Sequence, residues 1–117
     1  MYPTEIKNIS FYTNQENYFQ RLKNQLSKDF GSKNFDDELN IIRIEFSVKL
    51  FELIYSYLES LFLEDSQSFF QLMYRIDIPD ADMESIMLGS GYDLESLTEL
   101  ILQRELLKIL FREKYAV

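Results

Sequence analysis

The chain has 117 residues, 46% of them apolar and 15% aromatic, with only three glycines and two prolines, a composition too hydrophobic and too poor in breakers for a disordered polymer. Its net charge of −8 is unevenly spread, residues 36–103 carrying −12 while residues 1–35 and 104–117 each carry +2; this argues against general binding to nucleic acid or anionic membranes, which need clustered Lys and Arg. With no cysteine and no histidine, disulfides, thiolate metal sites, Ser-His-Asp catalysis and the usual neutral-pH base are excluded.

Residues 1–13 show no helical period. Ile9 and Phe11 alternate with polar neighbours in "NISFYT", which predicts an extended arm laid on a single helical domain covering 14–117. The opening "MYPTEIKNIS" lacks the basic and apolar regions of a secretory signal, and no apolar run approaches about 18 residues, so the expectation is a cytoplasmic protein without a membrane segment. From Asn14, a capping residue type, Tyr18, Leu22, Leu26 and Phe30 recur every four residues, with Phe19 widening the stripe. Gly31 stands where a helix end favours a residue tolerant of positive φ, which closes the first helix.

Two templates compete in "DDELNIIRIEFSVKLFELIYSYLESLFLED". Ile42, Ile44, Phe46, Val48 and Leu50 alternate with polar residues, as in a strand. Over a longer span, Leu39, Ile42, Phe46, Leu50, Leu53, Tyr57 and Leu61 follow a 3-4-4 spacing, with Glu45, Lys49, Glu52, Ser56 and Glu59 on the polar side. No Gly or Pro separates the halves, so the spacing predicts one helix over 36–63, roughly 40 Å long at about 1.5 Å per residue. The competing reading is a small α+β fold in which 42–50 joins a sheet.

Asp65 or Ser66 caps a short helix that ends before Pro79. In "RIDIPDADMESIMLGSG" the acids Asp77, Asp80, Asp82 and Glu84 suggest a cation loop, but a helix-loop-helix calcium site counted from Asp80 wants glycine at the sixth position and glutamate at the twelfth. Ser85 and Gly91 stand there instead. Proline followed by carboxylates is the pattern of a helix N-terminus, so the stretch reads as a short helix closed by Gly89 and Gly91. Asp93 then opens a long helix over 93–115, with Ser96 to Glu99 offering a second start and Lys108, Arg112 and Lys114 near its negative end.

The expected fold is therefore an all-α bundle of about five helices, two of them long. Glu45, Glu52 and Glu59 share one helical face, yet a di-metal bundle also needs inward Glu-x-x-His pairs, so they read as a solvated stripe. No catalytic, cofactor-binding or metal-ligating residue is expected. Arg43 falls within the apolar arc of the predicted helix and is expected as a buried charge seeking carboxylate or carbonyl partners. On the last helix Leu102, Leu106, Ile109 and Leu110 form a second apolar side, next to a basic row of Arg104, Lys108 and Arg112. That surplus points to an interaction surface, with a homodimer or another protein as partner and neither nucleic acid nor membrane. The function expected is a non-catalytic interaction or self-association module. The rival is a small-ligand-binding or catalytic bundle using buried carboxylates.

Overall fold

A computed structural model describes residues 9–88 and 93–115, together with the side chains of all of these except 85–88. It is all-α: seven α-helices and one 3-10 turn, with no strand among the described residues. In chain order these are α1 (Ile9–Thr13), α2 (Glu16–Phe30), α3 (Lys33–Ile41), the 3-10 turn Ile44–Phe46, α4 (Lys49–Glu64), α5 (Ser66–Ile76), α6 (Asp80–Leu88) and α7 (Leu94–Tyr115). At about 1.5 Å per residue α7 is about 33 Å long, close to the longest molecular dimension of 37 Å. It packs against α2, α4 and α5, and so serves as the central rod of the bundle.

The helix ends follow the local chemistry. Asp65 accepts from the backbone N–H and the hydroxyl of Ser68 at the start of α5, and Asp93 does the same with Ser96 at the start of α7. These hydrogen bonds hold both carboxyls below their usual range. Ser96, the alternative start, is thus a partner in the Asp93 cap. Asp80 and Asp82 lie in the first turn of α6, where the Pro79 carbonyl accepts from the N–H groups of Asp82 and Met83; the expected closure at Gly89 and Gly91 lies outside the described residues.

Gly31 ends α2 at φ 58°, and its N–H donates to the Ser27 carbonyl. Across this turn Phe30 and Phe35 stack with ring centroids 4.2 Å apart, and Tyr57 meets Phe35 edge-on, which fixes how α3 leaves α2. A Cβ at Gly31 would meet no heavy atom within 4 Å. Gly31→Ala is therefore expected to cost about 1 kcal/mol, all of it from the left-handed backbone, in urea unfolding. An unchanged midpoint would mean that this conformation is not required.

Three expectations about the helices are corrected. Residues 9–13 are helical rather than extended: Tyr12 packs edge-on against Phe11 and Tyr18, Thr13 is buried, and the Gln15 amide donates to the Phe11 carbonyl. This aromatic anchoring holds one turn against α2, whereas residues 1–8 of the expected arm lie outside the described residues. The start of α2 is also moved, its N-cap being Gln15 rather than Asn14.

The larger correction concerns the predicted helix over 36–63, which is broken in the middle. Ile42 and Arg43 are extended, at ψ 122° and 159°. The cause is a partner supplied by another helix. Lys23, buried on α2, donates from Nζ to the Ile42 carbonyl at 2.8 Å while its ammonium lies 5.3 Å from the centroid of the Phe19 ring. That carbonyl would otherwise accept from Phe46 in a continuous helix; Phe46 instead donates to the Arg43 carbonyl, closing the 3-10 turn. The β-branched run Ile41, Ile42, Ile44 gives little helical propensity to resist this. The core stripe of α4 becomes Leu50, Ile54 and Leu58, and Phe46 turns outward.

Candidate functional site

The expected interaction face lies mostly inside the molecule. Leu102, Leu106 and Ile109 are buried, Leu106 at 0% exposure, and Leu110 is half-buried. The second apolar side of α7 is covered because α7 has helices of its own chain around it. The argument for a homodimer on this face therefore falls away. The basic row divides as well: Arg104 is half-buried, Lys108 turns into the junction of α2, α5 and α7, and Arg112 leans on α2. Arg43 is not a buried charge; its side chain is 78% exposed and lies 3.5 Å from Glu45, because the break at Ile42 takes it off the helical arc that would have buried it.

The polar chemistry of the fold gathers at that junction. Lys108 Nζ lies 2.7 Å from Asp29 Oδ2 on α2 and 3.3 Å from Glu105 Oε1 one turn earlier on α7. The same ammonium donates to the Arg75 carbonyl near the end of α5 at 3.3 Å. Arg75 in turn donates from Nε to the Asp29 carbonyl and from a terminal nitrogen to the Phe30 carbonyl, meeting the negative end of α2. Gln25 donates to Asp29 Oδ2 at 2.9 Å and accepts from Arg112. One network thus pins the C-terminal ends of two helices onto the central rod.

Glu105 is the unusual member. It is 0% exposed, and as a carboxylate neither of its oxygens would have an aligned donor, since the 3.3 Å approach of Lys108 is an ion contact rather than an aligned hydrogen bond. Its carboxyl lies within hydrogen-bonding reach of Asp29, and burial, reinforced by Asp29 and opposed by Lys108, pushes its pKa up to about 9. Burial also works against ionised Asp29, but hydrogen bonds from Glu105, Lys108 and Gln25 outweigh it and hold Asp29 low. Lys108 loses solvation too, and its acidic neighbours more than restore the charged form. The consistent state at neutral pH is a neutral Glu105 donating its proton to an ionised Asp29 that is also bound to Lys108.

This arrangement resembles an acid-base pair in composition but offers no surface at which a substrate could reach Glu105. Its chemistry is that of a structural clamp. Sequence reasoning singled out neither Glu105 nor Asp29. The available signal was the position of Glu105 between Ile101, Leu102, Leu106 and Ile109, all of them buried.

The molecular surface carries a different feature at the α3–α4 elbow. Ile41, Phe46 and Val48 are large apolar side chains left in solvent. Ile41 lines a groove between α3 and α4 with Ile42, Leu53 and Tyr57, rimmed by Glu38, Lys49 and Glu52, about 510 Å³ in volume. Glu45, Glu52 and Glu59, the predicted solvated stripe, are all exposed. Among the described residues no group of three or more acidic side chains is arranged to hold a metal ion, and no helix is long and apolar enough to cross a membrane. Comparison of the chain with known protein families, with curated proteins and with solved structures finds no match.

Proposed function

We propose that the chain is a non-catalytic protein-interaction module, working in the cytoplasm, which takes up a helix of a partner protein in the groove between α3 and α4. The observation that carries this reading is the groove's composition: an apolar floor of Ile42, Leu53 and Tyr57, with Ile41 at its edge 76% exposed. The rim carries two acids, Glu38 and Glu52, against one base, Lys49, and neither acid has an ion pair among the described residues. An apolar stripe flanked by Lys or Arg on the partner helix would match both features.

The test compares wild type with Ile41→Glu, a substitution on an exposed side chain. A partner captured from the native host by wild type should be lost by the variant, and its binding measured with purified proteins should weaken as salt rises. Equal capture by both proteins would remove the groove from the reading. Light scattering adds one discrimination: a wild type that self-associates and becomes monomeric on Ile41→Glu would replace the partner protein with a second copy.

A further inference from the structure

A second surface feature is independent of that groove and of opposite charge. Arg21, Asn24, Gln25 and Lys28 recur at i, i+3, i+4 and i+7 on α2, so they share one face. They line a depression of about 250 Å³ whose other wall is Arg112 and whose floor is the buried Ile109 of α7. Three of the chain's 12 Lys and Arg residues converge there on a protein with 20 acids, and no carboxylate is part of the lining. Of the nearest acids, Glu113 accepts from the Tyr18 hydroxyl at 2.9 and 3.0 Å and forms one ion pair with Arg21 at 3.8 Å, which leaves the other N–H groups of that guanidinium for a ligand, while Asp29 is held by Lys108 and Gln25.

The arginine on the α7 side is also positioned. Arg112 donates from a terminal nitrogen to Gln25 Oε1 and from Nε to the Lys108 carbonyl at 3.4 Å. Gln25 is fixed in turn by its bond to Asp29. A guanidinium has five N–H donors, so those not used here remain for a ligand. Lys28 is exposed and makes no ion pair among the described residues.

We infer that this depression binds the phosphate group of a small molecule. Three cations set around a concave, partly apolar floor match a dianion with three terminal oxygens better than a carboxylate, which offers one charge and two oxygens. The volume of about 250 Å³ exceeds that of a phosphate group alone, which leaves room beside it for part of the rest of the ligand. Convergent positive charge also concentrates anions there against the field of an acidic protein.

The experiment is an amide chemical-shift titration of the full chain with inorganic phosphate and with methyl phosphate, at constant ionic strength set by chloride, with acetate as a singly charged comparator. The expected result is saturable binding by both phosphates, with shifts confined to residues 21–28 and 109–113 and a much weaker response to acetate. Lys28→Gln should weaken binding by about tenfold and Arg112→Gln by more, since each removes one charge-assisted contact. The two variants guard one another: Lys28 is exposed and its loss should leave the fold unchanged by circular dichroism, whereas Arg112 also supports Gln25. A linear response up to about 20 mM, weaker than any specific site of this kind would give, would overturn the assignment. So would acetate binding as tightly as phosphate, or a folded Lys28→Gln protein binding as wild type does.

Discussion

Glu105→Gln should stabilise the protein at neutral and alkaline pH and change it little near pH 4. A glutamine at this position keeps the shape of the neutral acid, with an amide N–H to offer Asp29 and a carbonyl facing Lys108. The native protein holds a proton on Glu105 up to about pH 9, whereas the unfolded chain releases it near the ordinary glutamate value of about 4.3. Between these values the native state binds more protons than the unfolded state, so stability falls as pH rises. The contribution of neutral Glu105 is fully present below the unfolded pKa and is lost progressively up to the folded one. For a side chain with no solvent exposure the accumulated cost is about 3 kcal/mol at pH 7 and under about 1 kcal/mol at pH 5.

Asp29 acts with the opposite sign and in another window. Its lowered pKa gives stability that is present above the ordinary aspartate value and lost as pH falls through its folded one, below the range in which Glu105 matters. Lys108, whose pKa is raised, keeps its contribution until pH rises through that higher folded value. Urea unfolding of wild type and Glu105→Gln at intervals from pH 4.5 to 8.5 isolates the Glu105 contribution, because shared groups cancel in the difference. A variant less stable than wild type at pH 8, or a difference that does not grow with pH, would mean that Glu105 is ionised in the native protein and held by Lys108 alone.

How much of this was legible in the sequence depends on whether the deciding partner is near or far along the chain. The ends of α2, α5 and α7 are set within a few residues, by Gly31, Asp65 and Asp93, and the helical reading located all three. The break at Ile42 is set by Lys23, 19 residues earlier, and no local pattern announces that a lysine will leave water to meet a particular carbonyl. The conflict between alternation and the 3-4-4 stripe was nonetheless real. Both templates describe part of 36–63, and the chain resolves them by ending one helix and starting another. Glu105 follows the same logic: its place among apolar residues is visible in the sequence, but its proton depends on Asp29, 76 positions away on another helix. Arg43 was placed by a helical wheel and then released when that helix broke.

The largest loss is expected at the centre of α7, where the sequence suggested a surface. Leu106 is fully buried on the rod that carries α2, α4 and α5. Leu106→Ala should cost about 2 to 5 kcal/mol, the transfer free energy of the lost atoms together with the cavity they leave. Leu106→Glu is more severe, because it would set an unpaired carboxylate in the core next to Glu105; against a total stability of about 5 to 15 kcal/mol, it should abolish the cooperative unfolding transition. Ile41→Glu makes the same kind of apolar-to-acid change on a side chain that is 76% exposed and should stay within about 0.5 kcal/mol of wild type. Circular dichroism and urea unfolding of the three variants place each side chain directly. A folded Leu106→Glu protein would put that face of α7 back on the surface and restore the self-association argument. An unfolded Ile41→Glu protein would show that the α3–α4 groove belongs to the core and is no place for a partner. The expected pair of outcomes, loss of the fold at 106 and its retention at 41, is what allows any binding defect of Ile41→Glu to be assigned to the groove itself.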